Sequence, residues 1–117
     1  MGKYVDGFVV PVPKDNIEKY KQVAATMGKK FKELGALEYV ECIADDVKPG
    51  KLTSFPQSVD LKPNEVVVFS WITYASRADR DRIMGQVMND PAMTSPKDMP
   101  FDAARMIFGG FETLLSL

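Results

Sequence analysis

A chain of 117 residues that is 45% hydrophobic and 26% charged has the composition of one compact domain, residues 1–117, with its own core. Its formal charge of −1 supplies no general pull toward nucleic acid or an anionic membrane surface, and no apolar run approaches the ~18 residues that a membrane span needs. A lone cysteine, Cys42, and the lack of histidine exclude an intramolecular disulfide, a thiolate zinc site, a histidine-dependent triad and a histidine-ligated haem.

With Asp6 so soon after Tyr4 and Val5, the start of the chain lacks a secretory pattern, and a cytoplasmic protein is expected. Residues 4–13, YVDGFVVPVP, alternate so that Tyr4, Phe8, Val10 and Val12 share one side and Val5 and Val9 the other, as in a strand. Asp15 and Glu18 have the spacing of a capping box. Ile17, Tyr20, Ala24, Met27, Phe31 and Leu34 then recur at helical steps until Gly35. The lysines and glutamates between them read as a solvated face of mixed sign.

LEYVECIA, 37–44, is the second expected strand. Pro49-Gly50, Pro56 and Pro63 mark 45–64 as a long excursion, pinned to the body by Phe55, Val59 and Leu61. EVVVFSWITY, 65–74, is dense in β-branched and aromatic residues and forms the strongest strand. Ser76 and Asp79 repeat the cap spacing and open a second long helix, which Asn89-Asp90-Pro91 stops. A proline-dotted connection over 90–100 leads into a last strand at 104–115.

Strand, helix, strand, strand, helix, strand is the order of a split pair of βαβ units, which predicts an α+β fold: a ferredoxin-like antiparallel sheet with both helices on one face. The third and fourth strands are apolar on both sides, with Val67, Phe69 and Trp71 opposite Val66, Val68, Ile72 and Tyr74, and Ile107 and Phe111 opposite Phe108. A solvated sheet face is normally polar, so the pattern predicts a homodimer that stacks two sheets face to face. The alternative is a monomer whose 45–64 loop folds over the sheet.

MPFDAARMIFGGF, 99–111, opens with a corner fixed by Pro100 and by Asp102, whose side chain can bond amides further on. Gly109-Gly110 weakens a strand unless something needs the space, either a close-packed bulky group such as Trp71 or a ligand. Together with ADD after the second strand and VVFSWITYASRADRD, this stretch resembles the YbaA-like family of small bacterial proteins. The resemblance implies a dimeric α/β barrel of ferredoxin-like subunits and, since that family is uncharacterised, no activity.

Arg80 falls within the apolar arc of the second long helix, formed by Ile83, Met84, Val87 and Met88. It lies in the first turn, where the helix dipole disfavours a cation, so an acidic partner or an anionic ligand is expected beside it. Asp102 and Arg105 are the next candidates, in an ion-pair network with Arg80 at one end of the helix-sheet cleft. That network is either structural or ligand-binding, with Trp71, Tyr74 and Phe101 as apolar walls. Glu41 and Asp45 offer a base, Tyr39 and Tyr74 either a hydrogen bond to a ligand or a place in the core, and Cys42 a small buried apolar side chain. Asp45 and Asp46 point to opposite sides of a strand and make a poor metal pair, so no metal and no cofactor is expected.

The residues therefore favour a homodimer that binds, and in one version transforms, a small aromatic or carboxylated metabolite. Any enzyme activity, of cofactor-independent monooxygenase or isomerase type, would rest on fold analogy alone. The alternative is a noncatalytic interaction or regulatory subunit, its cleft filled by side chains and Asp102 bonded to an arginine. RNA binding ranks third, since no basic surface interleaved with aromatics is present.

Overall fold

The computed structural model describes residues 3–91 and 99–117. Strand β1 runs over Tyr4–Pro13 and passes through a 3-10 turn, Lys14–Asn16, into helix α1, Ile17–Leu34. Strand β2 is Glu38–Ile43, and the excursion that follows contains a short helix α2, Phe55–Ser58. Strand β3 is Glu65–Tyr74, helix α3 Arg77–Met88, and a second 3-10 turn, Ala103–Arg105, precedes strand β4, Ile107–Glu112. The proline-dotted connection lies, at 92–98, outside the described residues.

The strands form one antiparallel sheet in the order β2-β3-β1-β4. This is the order that the paired βαβ reading demands. The last strand is shorter than expected, because the Asp102 corner continues into the 3-10 turn and pairing begins only at Ile107 opposite Val9. Ser76 accepts from the Asp79 amide at 3.1 Å, as the cap spacing of α3 requires. Asp15 and Glu18 do not act as a cap: the 3-10 turn occupies that stretch, and Asn16 caps α1 without a side-chain bond. Gly35 ends α1 in the left-handed region, φ 119°, with its amide bonded back to Lys32.

Register assigns the faces. Tyr4, Asp6, Phe8, Val10 and Val12 of β1 point to the helices, with Val68, Ser70, Ile72 and Tyr74 of β3 beside them. Two clusters fill the space beneath the helices. One joins Tyr4, Ile72 and Tyr74 to Phe31, Ile83 and Val87, and the other joins Val10, Val12 and Val68 to Tyr20 and Ala24. Val12, Tyr74 and Ile83 are wholly inaccessible to water.

Among the described residues the opposite face is covered at one end only. Val59 and Leu61, in the excursion, pack on Val9 and Val67, and Phe55 meets the Phe69 ring edge-on at 5.9 Å. Beyond them Phe69, Ile107 and Phe111 remain 43%, 44% and 64% exposed. The loop that the monomer reading invoked therefore shields one end of the face and leaves the rest bare.

Candidate functional site

A groove of about 780 Å³ runs between α1 and β2 on the helix side of the sheet. Two small residues of α1, Ala24 and Gly28, make room for it. A Cβ on Gly28 would stand 2.7 Å from the Tyr39 ring, so only glycine lets β2 approach the helix this closely. On the sheet side, Tyr39, Glu41 and Ile43 alternate onto one face of β2.

Glu41 is the chemical centre of the groove. Tyr20, one turn into α1, donates its hydroxyl proton to Glu41 Oε1 at 2.7 Å. Burial pushes the Glu41 carboxyl above the ordinary glutamate value, and hydrogen bonds from Tyr20, Tyr39 and Ser70 oppose the shift without cancelling it. The Tyr20 and Tyr39 phenols are pushed up in turn, first by burial and then by the charge of Glu41. Both stay protonated at neutral pH and serve as donors. A carboxylate set on an apolar wall can accept a hydrogen bond or a proton from a bound molecule.

The residues expected to form one network are divided between two places. Asp102 and Arg105 lie together where β3 begins. Arg105 Nε donates to Asp102 at 2.9 Å, Nη1 to Glu65 at 2.8 Å, and Nη1 also reaches the carbonyls of Val59 and Asp60. Hydrogen bonds from Arg105 hold the Glu65 and Asp102 carboxyls below their ordinary values. This clamp ties the excursion to β3 and to the corner before β4, and its guanidinium is engaged by protein groups.

Arg80 sits at the far end of the sheet, where β3 finishes. Its Nη1 pairs with Asp6 at 3.4 Å, its Nη2 donates to the Tyr4 hydroxyl at 3.1 Å, and its guanidinium lies 5.0 Å over the Tyr4 ring. Nε lies 3.0 Å from Asp81 without making a hydrogen bond. Tyr74 donates to the other oxygen of Asp6 at 2.9 Å. Burial raises the Asp6 carboxyl, with Tyr74 and Arg80 pulling it back. The acidic partner anticipated for Arg80 is therefore Asp6, on the inward face of β1.

Gly110 explains itself here. A Cβ at that position would collide with the Tyr4 hydroxyl and lie 2.8 Å from the Tyr4 ring and 2.9 Å from Arg80, so the second glycine of the pair clears space for this cluster. Gly109 faces the other side of the sheet, opposite Gly7 and beneath the Phe111 ring, and the close-packed group is Phe111 and not Trp71. Trp71 also points to that outer side, 5.8 Å from the Phe69 ring, and so does not line the helix-sheet groove. Phe101 packs edge-on against Tyr20 at 5.6 Å, behind the groove wall. Cys42, expected to be buried, is exposed because β2 is an edge strand. Neither Arg80 nor Arg105 lines the groove.

Sequence reasoning passed over Asp6 and Tyr20. The signal for Asp6 was a single acid interrupting the inward stripe Tyr4, Phe8, Val10, Val12. Tyr20 carried no signal of its own, being one more apolar position of α1.

The family model described as "Protein of unknown function (DUF1428)" matches residues 3–103. The chain belongs to this family. It is 51% identical over 114 residues to the uncharacterized protein YbaA of Escherichia coli K12, covering 97% of each chain. Among solved structures it is similar to a dimeric ferredoxin-like protein from an uncultured marine organism, with a TM-score of 0.63 at 10% identity and full coverage of both chains. It is also similar to a Nitrosomonas europaea protein provisionally assigned as an antibiotic biosynthesis monooxygenase, with a TM-score of 0.60 at 14% identity, over 97% of this chain and 93% of the other. At such identities the likeness carries the ferredoxin-like fold and nothing finer. Among the described residues no helix is long and apolar enough to cross a membrane.

Proposed function

We propose that the chain is a homodimer in which each subunit binds a small aromatic or carboxylated metabolite in the groove between α1 and β2. The observation that carries this reading is Glu41, a half-buried carboxylate set on the wall of an apolar cavity large enough for a metabolite. The interaction-subunit alternative anticipates Asp102 bonded to an arginine, which Arg105 satisfies, but it also anticipates a filled cleft, and the groove speaks against that. A transformation, where there is one, is a proton transfer to or from Glu41, because that needs no group beyond those lining the groove.

The sheet-face dimer is supported by the uncovered apolar outer face. Gly7 and Gly109, side by side on adjacent strands, leave a trough of about 710 Å³ there, flanked by Phe69, Trp71, Ile107 and Phe111. A two-fold axis would set the raised rings of one copy into the trough of the other.

Thermal-shift screening against phenols, quinones and keto acids tests the binding site. Compounds that raise the midpoint of the wild type should lose the effect in Glu41→Gln and keep it in Arg80→Ala. The reverse pattern would return the site to Arg80 and remove it from the groove.

A further inference from the structure

Resting on that reading of the groove, we propose that its occupant is a hydroxylated aromatic carboxylate, with its hydroxyl donating to Glu41 and its carboxylate paired with Lys21 or Lys29. The acceptor arithmetic comes first. A carboxylate offers about four lone-pair sites. Tyr20 fills one at Glu41 Oε1 at 2.7 Å, and Ser70 lies beside Glu41 across the β2–β3 pairing, which leaves acceptor capacity for a donor from outside the protein.

The cations come second. Lys21 and Lys29 both line the groove from α1, and neither has an ion pair or a hydrogen bond to another described residue. Neighbouring lysines are engaged: Lys32 donates to the Leu37 carbonyl at 2.7 Å and Lys30 pairs with Asp90 at 4.0 Å. Two turns of helix, ~12 Å, separate Lys21 from Lys29, with Ala25 between them. Glu18 and Glu33 also line the groove, three residues before Lys21 and four after Lys29, so an anion is favoured between the two lysines and opposed beyond them.

The body of the ligand follows from the wall. Ala24, Ala25 and Gly28 present a surface without long side chains, which suits a flat ring. The charge of Glu41 repels a carboxylate, so the two polar groups of the ligand must lie at opposite ends of that ring. Orientation is thereby set by charge alone.

Titration calorimetry with 4-hydroxybenzoate, benzoate and 4-hydroxybenzyl alcohol tests the assignment on the full chain. 4-Hydroxybenzoate should bind most tightly, and added salt should weaken it. Lys21→Met with Lys29→Met should reduce its affinity about tenfold or more without changing the far-ultraviolet circular dichroism, and Glu41→Gln should lower it to the level of benzoate. Equal affinity for 4-hydroxybenzyl alcohol, or indifference to the lysine substitutions, would overturn the carboxylate class while leaving a binding groove. No binding by any of the three probes would overturn the groove reading along with it.

Discussion

Among the described residues four carboxylates are moved from their ordinary values, and they divide by sign. Glu65 and Asp102 are held down by Arg105, so the stability they contribute is complete above the ordinary carboxylate range and is lost as pH falls through their depressed values. Asp6 and Glu41 are raised, foremost by burial, so the folded chain takes up their protons more readily than the unfolded one, and stability declines as pH rises through their raised values. Urea midpoints measured from pH 3 to pH 8 should therefore rise on the acid side, pass a maximum near the ordinary carboxylate range and fall again above it. Asp6→Asn should flatten the limb above the peak, and Arg105→Met the limb below it; parallel profiles for all three proteins would contradict the assignment. Tyr74→Phe should cost about 1–3 kcal/mol, since it leaves a buried oxygen of Asp6 without its donor. At this scale the sequence was least informative. The inward heading of Arg80 was legible from the helical wheel, but its partner lies 74 residues earlier on another element, and nothing local to either residue links Arg80 to Asp6.

Elements were far more legible, because periodicity and caps are local. Both β1 and β3 begin and end where alternation says they do, and α1 stops at Gly35. The first turn of α1 departs from its Asp-x-x-Glu spacing, because a 3-10 entry leaves the cap position to Asn16. The paired glycines of β4 make the sharpest element-scale prediction, because strand alternation gives them opposite duties. Gly110→Ala drives a methyl into Tyr4 and Arg80 and should destabilise by about 1–3 kcal/mol. Gly109→Ala meets nothing closer than Phe111 at 3.7 Å and should change stability by less than about 1 kcal/mol. Urea unfolding of the two variants side by side decides it, and equal costs would mean that the two faces of β4 have been misassigned.

For the whole molecule, the strand order and the two-sided apolar sheet were readable before any coordinates, because they depend only on element order and alternation. The location of the groove was not, since it depends on how closely β2 approaches α1, a distance set by Gly28 and Tyr39 together. Phe111→Asp places a charge on the exposed outer face without touching the inward core, and light scattering should return 13.0 kDa for this variant against twice that for the wild type. A wild type that itself scatters as a lone chain would dismiss the stacked-sheet dimer. The central position of β1 also bears on biosynthesis. It is made before the other three strands, yet one of its neighbours is β3 and the other is β4, whose Glu112 pairs with Tyr4 across all the intervening elements. Such long-range closure is intrinsically slow. One margin of β1 stays open until β4 has been made, so the nascent chain carries a sticky hydrophobic ribbon through the synthesis of everything between the two strands.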